Sequence, residues 1–128
     1  MTKRVQGASD QDLEQLTGLF RLLSDKTRLN ILMLLSGGER NVTNLCDALQ
    51  LPQPTVSHHL GLLRLNNIIG NRRSGKQVFY TLNGRVDTGD DGSELNIRAE
   101  SFEIIIKPKA AEADTEAMRS STLSSSSG

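Results

Sequence analysis

Residues Asn44 to Leu82 read NLCDALQLPQPTVSHHLGLLRLNNIIGNRRSGKQVFYTL, and no other stretch narrows the choice of fold as far. Val42, Leu45, Cys46 and Leu49 recur at the spacing of one helix face. Gln50-Leu51-Pro52 makes a turn. A second helix then runs from Gln53 to Asn66. Pro54 is tolerated in it because first-turn N–H groups have no intrahelical partner. Ile68 to Arg73 and Gln77 to Leu82 read as two strands about Ser74-Gly75, with Val78, Tyr80 and Leu82 alternating along the second. Helix, turn, helix and hairpin is the order of a helix-turn-helix followed by a wing. That shape lays one helix in a DNA groove while a basic hairpin grips the backbone.

The charge distribution agrees. No Asp or Glu lies between Asp47 and Asp87, whereas Arg64, Arg72, Arg73, Lys76 and Arg85 all do. The formal net charge of zero hides unlike halves. Residues 1–83 carry ten Lys/Arg against six Asp/Glu, and residues 84–128 carry five against nine. Such asymmetry suits a nucleic-acid surface followed by an acidic tail. The single cysteine, Cys46, allows no intrachain disulfide. No secretory pattern opens the chain, and no apolar run approaches the roughly 18–20 residues that span a bilayer. The expectation is a cytoplasmic protein with no membrane partner. No paired nucleophile and base and no phosphate-cradling glycine loop is visible, so the chain is not read as an enzyme, and no cofactor is expected.

Around the central motif the chain divides readily. Residues 1–8 read as a flexible arm. Ser9 or Asp10 caps a first helix whose apolar face is Leu13, Leu16, Leu19, Phe20 and Leu23. Asp25 caps a second helix, Lys26 to Ser36, apolar nearly all round and so expected at the centre of the domain. Gly37-Gly38 stops it, and Asn41 caps the third. Residues 84–92 read as a loop. Two further strands are expected between Glu94 and Lys107, turning near Glu100-Ser101, with Pro108 ending them. Residues 109–128 read as a disordered Ser-rich tail. The expected architecture is therefore α+β: a winged helix-turn-helix domain over 9–83, with four helices and a β-hairpin wing. A loop and C-terminal strands over 84–108 stand in place of a last helix, as a dimerisation extension.

Val56, Leu60 and Leu63 mark the inner face of the fourth helix, so Thr55, Ser57, His58 and Gly61 point outward. Gln53, Thr55, Ser57 and His58 are the candidates for contact with base edges or nearby phosphates. Arg72, Arg73 and Lys76 at the wing tip are the candidates for phosphate or the minor groove. The competing reading for both sets is a solvated surface. Arg64 and Asn67 are weaker candidates for the backbone. His59 falls on the inward side and reads as a packed structural histidine. Cys46 reads as a small core residue rather than a redox or metal group. Asp87, Asp90 and Asp91 lack the ligand spacing of a calcium loop.

LFRLLSDKTRLNILMLL, LCDALQLPQPTVSHHLGLLR and the RRSGKQVFYTL hairpin together resemble the ArsR-type (arsenic-repressor-like) winged-helix regulators of bacteria, from about Leu16 to Leu82. The resemblance implies a homodimeric repressor on a roughly palindromic operator, with Gln53–Asn66 as recognition helix and Ile68–Leu82 as wing. Many members of that family release DNA on binding a metal. This chain has one Cys where the family's arsenic site has a Cys-x-Cys pair, and no His after His59 where its zinc site has Asp and His. No metal site is therefore expected. The family's dimer seam uses its first and last helices. Here Leu13, Leu16 and Phe20, together with Leu95, Ile97, Phe102 and Ile104, are expected to supply the two-fold interface. The alternative from another functional class is a winged-helix module whose C-terminal strands dock a partner protein, with DNA binding weak or lost.

Overall fold

The computed structural model describes residues 7–90 and 92–109. The expected arm over 1–8 falls largely outside these residues, as do Asp91 and, save for Lys109, the expected tail. Helix α1 spans Asp10–Leu23 and α2 spans Lys26–Ser36. Strand β1 (Arg40–Asn41) leads directly into α3 (Val42–Leu49), and α4 covers Gln53–Leu65. Then come β2 (Ile69–Ser74), β3 (Gln77–Leu82), β4 (Val86–Asp87), β5 (Leu95–Arg98) and β6 (Glu103–Ile106).

Each of the first three helices begins where a short polar side chain can take up an orphan N–H. Ser9 Oγ accepts from the Asp12 N–H at 3.1 Å while Asp12 accepts from the Ser9 N–H at 3.0 Å, closing a reciprocal box. Asp25 accepts from the Arg28 N–H at 3.0 Å, and Asn41 from the Asn44 N–H at 2.7 Å. Between α3 and α4, Gln50 takes the left-handed conformation at φ 57° and Pro52 opens the next helix. Leu19, Leu22, Leu23, Ile31, Leu32, Leu35, Leu45, Val56, Leu60 and Leu63 bury one continuous core. Met33 is exposed, so α2 is not covered all round as its composition suggested.

Two three-stranded antiparallel sheets flank the helices, in the orders β1-β3-β2 and β4-β5-β6. In the first, Ile69 pairs with Leu82 and Ser74 with Gln77. The turn between them carries Gly75 at φ +65° as its first central residue, the position a type II′ turn reserves for glycine. The strand begins at Ile69, one residue later than expected. Neither β1 nor β4 was anticipated, because two residues are too few to show a period. β3 lies between two strands, and Val78 to Leu82 are all half-buried, so its alternation does not separate a wet face from a dry one.

The second sheet corrects the place expected of Leu95 and Ile97. Register places Leu95 opposite Ile106 and Ile97 opposite Ile104, on the inner face. Leu95 is 2% exposed and Ile97 0%, and both join the same core as the helices. They present nothing to a second copy, contrary to the expectation that they line a dimer interface. Alternation of faces along a strand puts them against their own domain. Ile104 and Ile106 are half-buried against that core, and Phe102 is half-buried beside the turn. The inner face of the strands over 95–106 thus completes the core of the domain.

Candidate nucleic-acid interface

α4 turns Val56, Leu60 and Leu63 into the core, which leaves Gln53, Ser57, His58 and Gly61 exposed on the opposite side. Thr55 departs from the expectation: it is half-buried rather than fully outward. Pro52 offers no side-chain cap and no acidic residue occupies the first turn. The positive end of the helix dipole is therefore left uncompensated by carboxylates on its own helix.

His59 is the inward histidine, and what lies behind it was not foreseen. Arg28 Nη1 is 3.1 Å from His59 Nδ1, and Arg28 Nε donates to the Leu22 carbonyl at 2.6 Å. A guanidinium only donates, so Nδ1 accepts and the His59 ring proton sits on Nε2. Asp25 stands 3.9 Å from both Arg28 Nη1 and His59 Nδ1. The Arg28 N–H bond, then the neighbouring Arg28 guanidinium, hold the Asp25 carboxyl below its usual range. One network thereby ties the end of α1, the start of α2 and the back of α4. The sequence shows the Asp25 cap and an inward His59; the Arg28–His59 contact joins residues 31 positions apart.

The wing divides its three expected cations. Arg72 Nε and Nη2 each donate to Glu39 at 2.7 Å, a bidentate pair, and the guanidinium lies 5.0 Å from the centre of the Phe79 ring. Arg72 holds the Glu39 carboxyl down, and Glu39 raises Arg72 in turn. Arg72 is thus a strut between the wing and the turn after α2. Arg73 and Lys76 are exposed and pair with no described residue. Glu39 precedes the carboxylate-free stretch, so only contact across the fold reveals its partner.

Asn41 also reaches the wing, donating from Nδ2 to Gln77 Oε1 at 2.8 Å. Arg64 and Asn67 are exposed at the end of α4, with Asn67 left-handed at φ 59°. Cys46 packs, half-buried, against the core. Asp87 accepts from Gly89 N–H and Asn96 Nδ2 and pairs with Arg98, so it braces the loop and sheet. Those bonds, Asn96 first, hold its carboxyl low. Among the described residues no cluster of three His, Cys, Asp or Glu is arranged to hold a metal ion. None of the described helices is long and apolar enough to cross a membrane. On α1, Leu13 and Phe20 are 45% and 55% exposed and Leu16 is half-buried.

Residues 25–69 match the family model for bacterial regulatory proteins of the arsR family. Over 69 residues the chain is 46% identical to the arsenical resistance operon repressor of Escherichia coli K12, covering 53% of this chain and 59% of that one. It is 34% identical over 71 residues to the transcriptional repressor SdpR of Bacillus subtilis 168, covering 56% and 79%. Among solved structures, the homodimeric winged helix-turn-helix DNA-binding domain of a Mycobacterium bovis protein superposes with a TM-score of 0.54 at 31% identity. The match covers 62% of this chain and 77% of that one.

Proposed function

The chain belongs to the ArsR family of bacterial regulatory proteins, and from that premise we propose that it is a cytoplasmic homodimeric repressor that binds operator DNA. The observation that carries this reading is the exposed polar face of α4, with Gln53, Ser57 and His58 free of any acidic neighbour in the first turn. The helix supplies base contacts, and Arg73 and Lys76 on the wing meet phosphates. Thr55, being half-buried, contributes at the margin of the face. A recognition helix enters one major groove at a time, so two half-sites about 34 Å apart call for a second copy. The exposed Leu13 and Phe20 on α1 are part of the surface offered to it.

The test begins with a DNA fragment recovered by mapping what the protein binds across a genome. Ser57→Ala with His58→Ala should cost about 1–3 kcal/mol per lost base contact and leave the fold intact. Unchanged affinity and sequence preference in a gel-shift titration would sink the assignment. Binding should also weaken steeply with salt, because phosphate neutralisation releases counterions. A module that docks a protein instead would show no such slope.

We infer further that the inducing signal is not a thiolate- or histidine-held metal. One Cys packed against the core and no His beyond His59 support this. Titration with zinc, cadmium or arsenite should leave the DNA complex in place. Stoichiometric ejection of DNA by a metal, abolished by Cys46→Ser, would overturn it.

A further inference from the structure

β6 is an edge strand: it pairs with β5 on one side and with nothing described on the other. An edge of this kind is a template for another chain. Arg98 N–H donates across to the Arg85 carbonyl at 2.8 Å, toward β4, whereas Ala99 N–H donates to the Phe102 carbonyl at 2.7 Å. Antiparallel ladders alternate, so Ile97 and Ile104 face each other with their N–H and C=O groups. Those of Glu103, Ile105 and Lys107 therefore point outward along the free edge. These three side chains also share the outer face of the sheet, since Ile104 and Ile106 turn inward against the core. Ile105 stands there 50% exposed, opposite the polar Asn96. Its neighbours along the described ladder on that face are polar: Asn96, Arg98 and Asp87.

We propose that this edge pairs antiparallel with the same edge of a second copy, with the two-fold axis passing through Ile105. The sequence Glu103-Ile104-Ile105-Ile106-Lys107 complements itself when reversed. In that register Glu103 faces the second copy's Lys107, and Lys107 faces its Glu103. Both charges are exposed and neither pairs within the described residues. Ile105 meets Ile105 and covers it, while Ile104 lies beside Ile106 and continues the inner apolar row. Every outward N–H and C=O from 103 to 107 then has a partner, and the two small sheets become one of six strands. A register shifted by one or two residues either way sets a charge against an isoleucine. The proposal rests on the homodimer reading and adds this edge to the surface that makes the pair.

The experiment uses the full chain, free of DNA, in sedimentation equilibrium. Ile105→Glu puts two carboxylates on the axis and should weaken the dimer at least tenfold. Glu103→Lys and Lys107→Glu should each weaken it several-fold, since like charges directly opposite repel. The double variant E103K/K107E restores opposite charges across the axis and should recover the wild-type dissociation constant. That recovery also shows that the single variants had not failed to fold. A monomeric wild type, a dimer indifferent to Ile105→Glu, or a double variant no better than the singles would each overturn the proposal. Operator affinity is read separately. If the wild type binds DNA as a dimer that Ile105→Glu leaves whole, the edge assignment falls and the repressor reading stands. If the charge swap behaves as expected but the wild type binds no DNA, the reverse holds.

Discussion

Arg72 and Arg73 are neighbours of the same type with different surroundings. Glu39 already satisfies Arg72 bidentately, whereas Arg73 and Lys76 meet no described partner. Charge–phosphate contacts set the slope of log affinity against log salt, at about 0.9 per phosphate on duplex DNA. Arg73→Ala and Lys76→Ala should each flatten that slope by roughly one unit. Arg72→Ala should flatten it far less, because the charge it removes is already compensated by Glu39. Equal slopes for all three variants, measured by fluorescence anisotropy across a salt series, would place Arg72 on the phosphates after all. A list of basic residues cannot make this distinction. The same is true of Arg28, which in sequence is only a cation near a helix start.

Asn41 joins two elements that sequence treats separately. Its Oδ1 caps α3 through the Asn44 N–H, and its Nδ2 donates to Gln77 at the start of β3. As half of β1 it also pairs with Phe79. Asn41→Ala should therefore cost about 0.5–2 kcal/mol as a lost cap, read from denaturant unfolding. Asn41→Asp keeps an acceptor for the cap and loses the amide donor. It should retain most of the stability while faster hydrogen exchange appears in the β2–β3 hairpin. Equal destabilisation by both variants would mean that the cap is not what Asn41 contributes. The helices themselves were legible, caps included, because periodic apolar faces and Ser/Asp/Asn starts are local signals. β1 and β4 were not, because a strand of two residues exists only through the partner that another part of the chain supplies.

At the scale of the whole molecule, the second sheet belongs to the core. Ile97 is fully buried and packs in the same cluster as Leu32 and Leu45. Ile97→Ala should cost about 2–5 kcal/mol of global stability by chemical denaturation, as for a core cavity. A cost under about 1 kcal/mol would show the sheet to be a loose appendage. Deleting residues 94–107 would uncover the core, so such a deletion cannot report on assembly, and single changes on the outer edge are needed instead. By itself the sequence determined the helices and their caps, the wing hairpin with its glycine turn, the buried face of α4 and the likeness to one family. Each of these is written in neighbouring residues through period, propensity or turn chemistry. It also placed strands between Glu94 and Lys107, but it could not say which face they bury. Amphipathic strands look alike whether the apolar side meets their own domain or another copy. Only the tertiary structure put Leu95 and Ile97 inside, drew Glu39 onto Arg72, and brought Arg28 beneath His59. Those contacts join distant positions, and their energies depend on distances that no local pattern encodes.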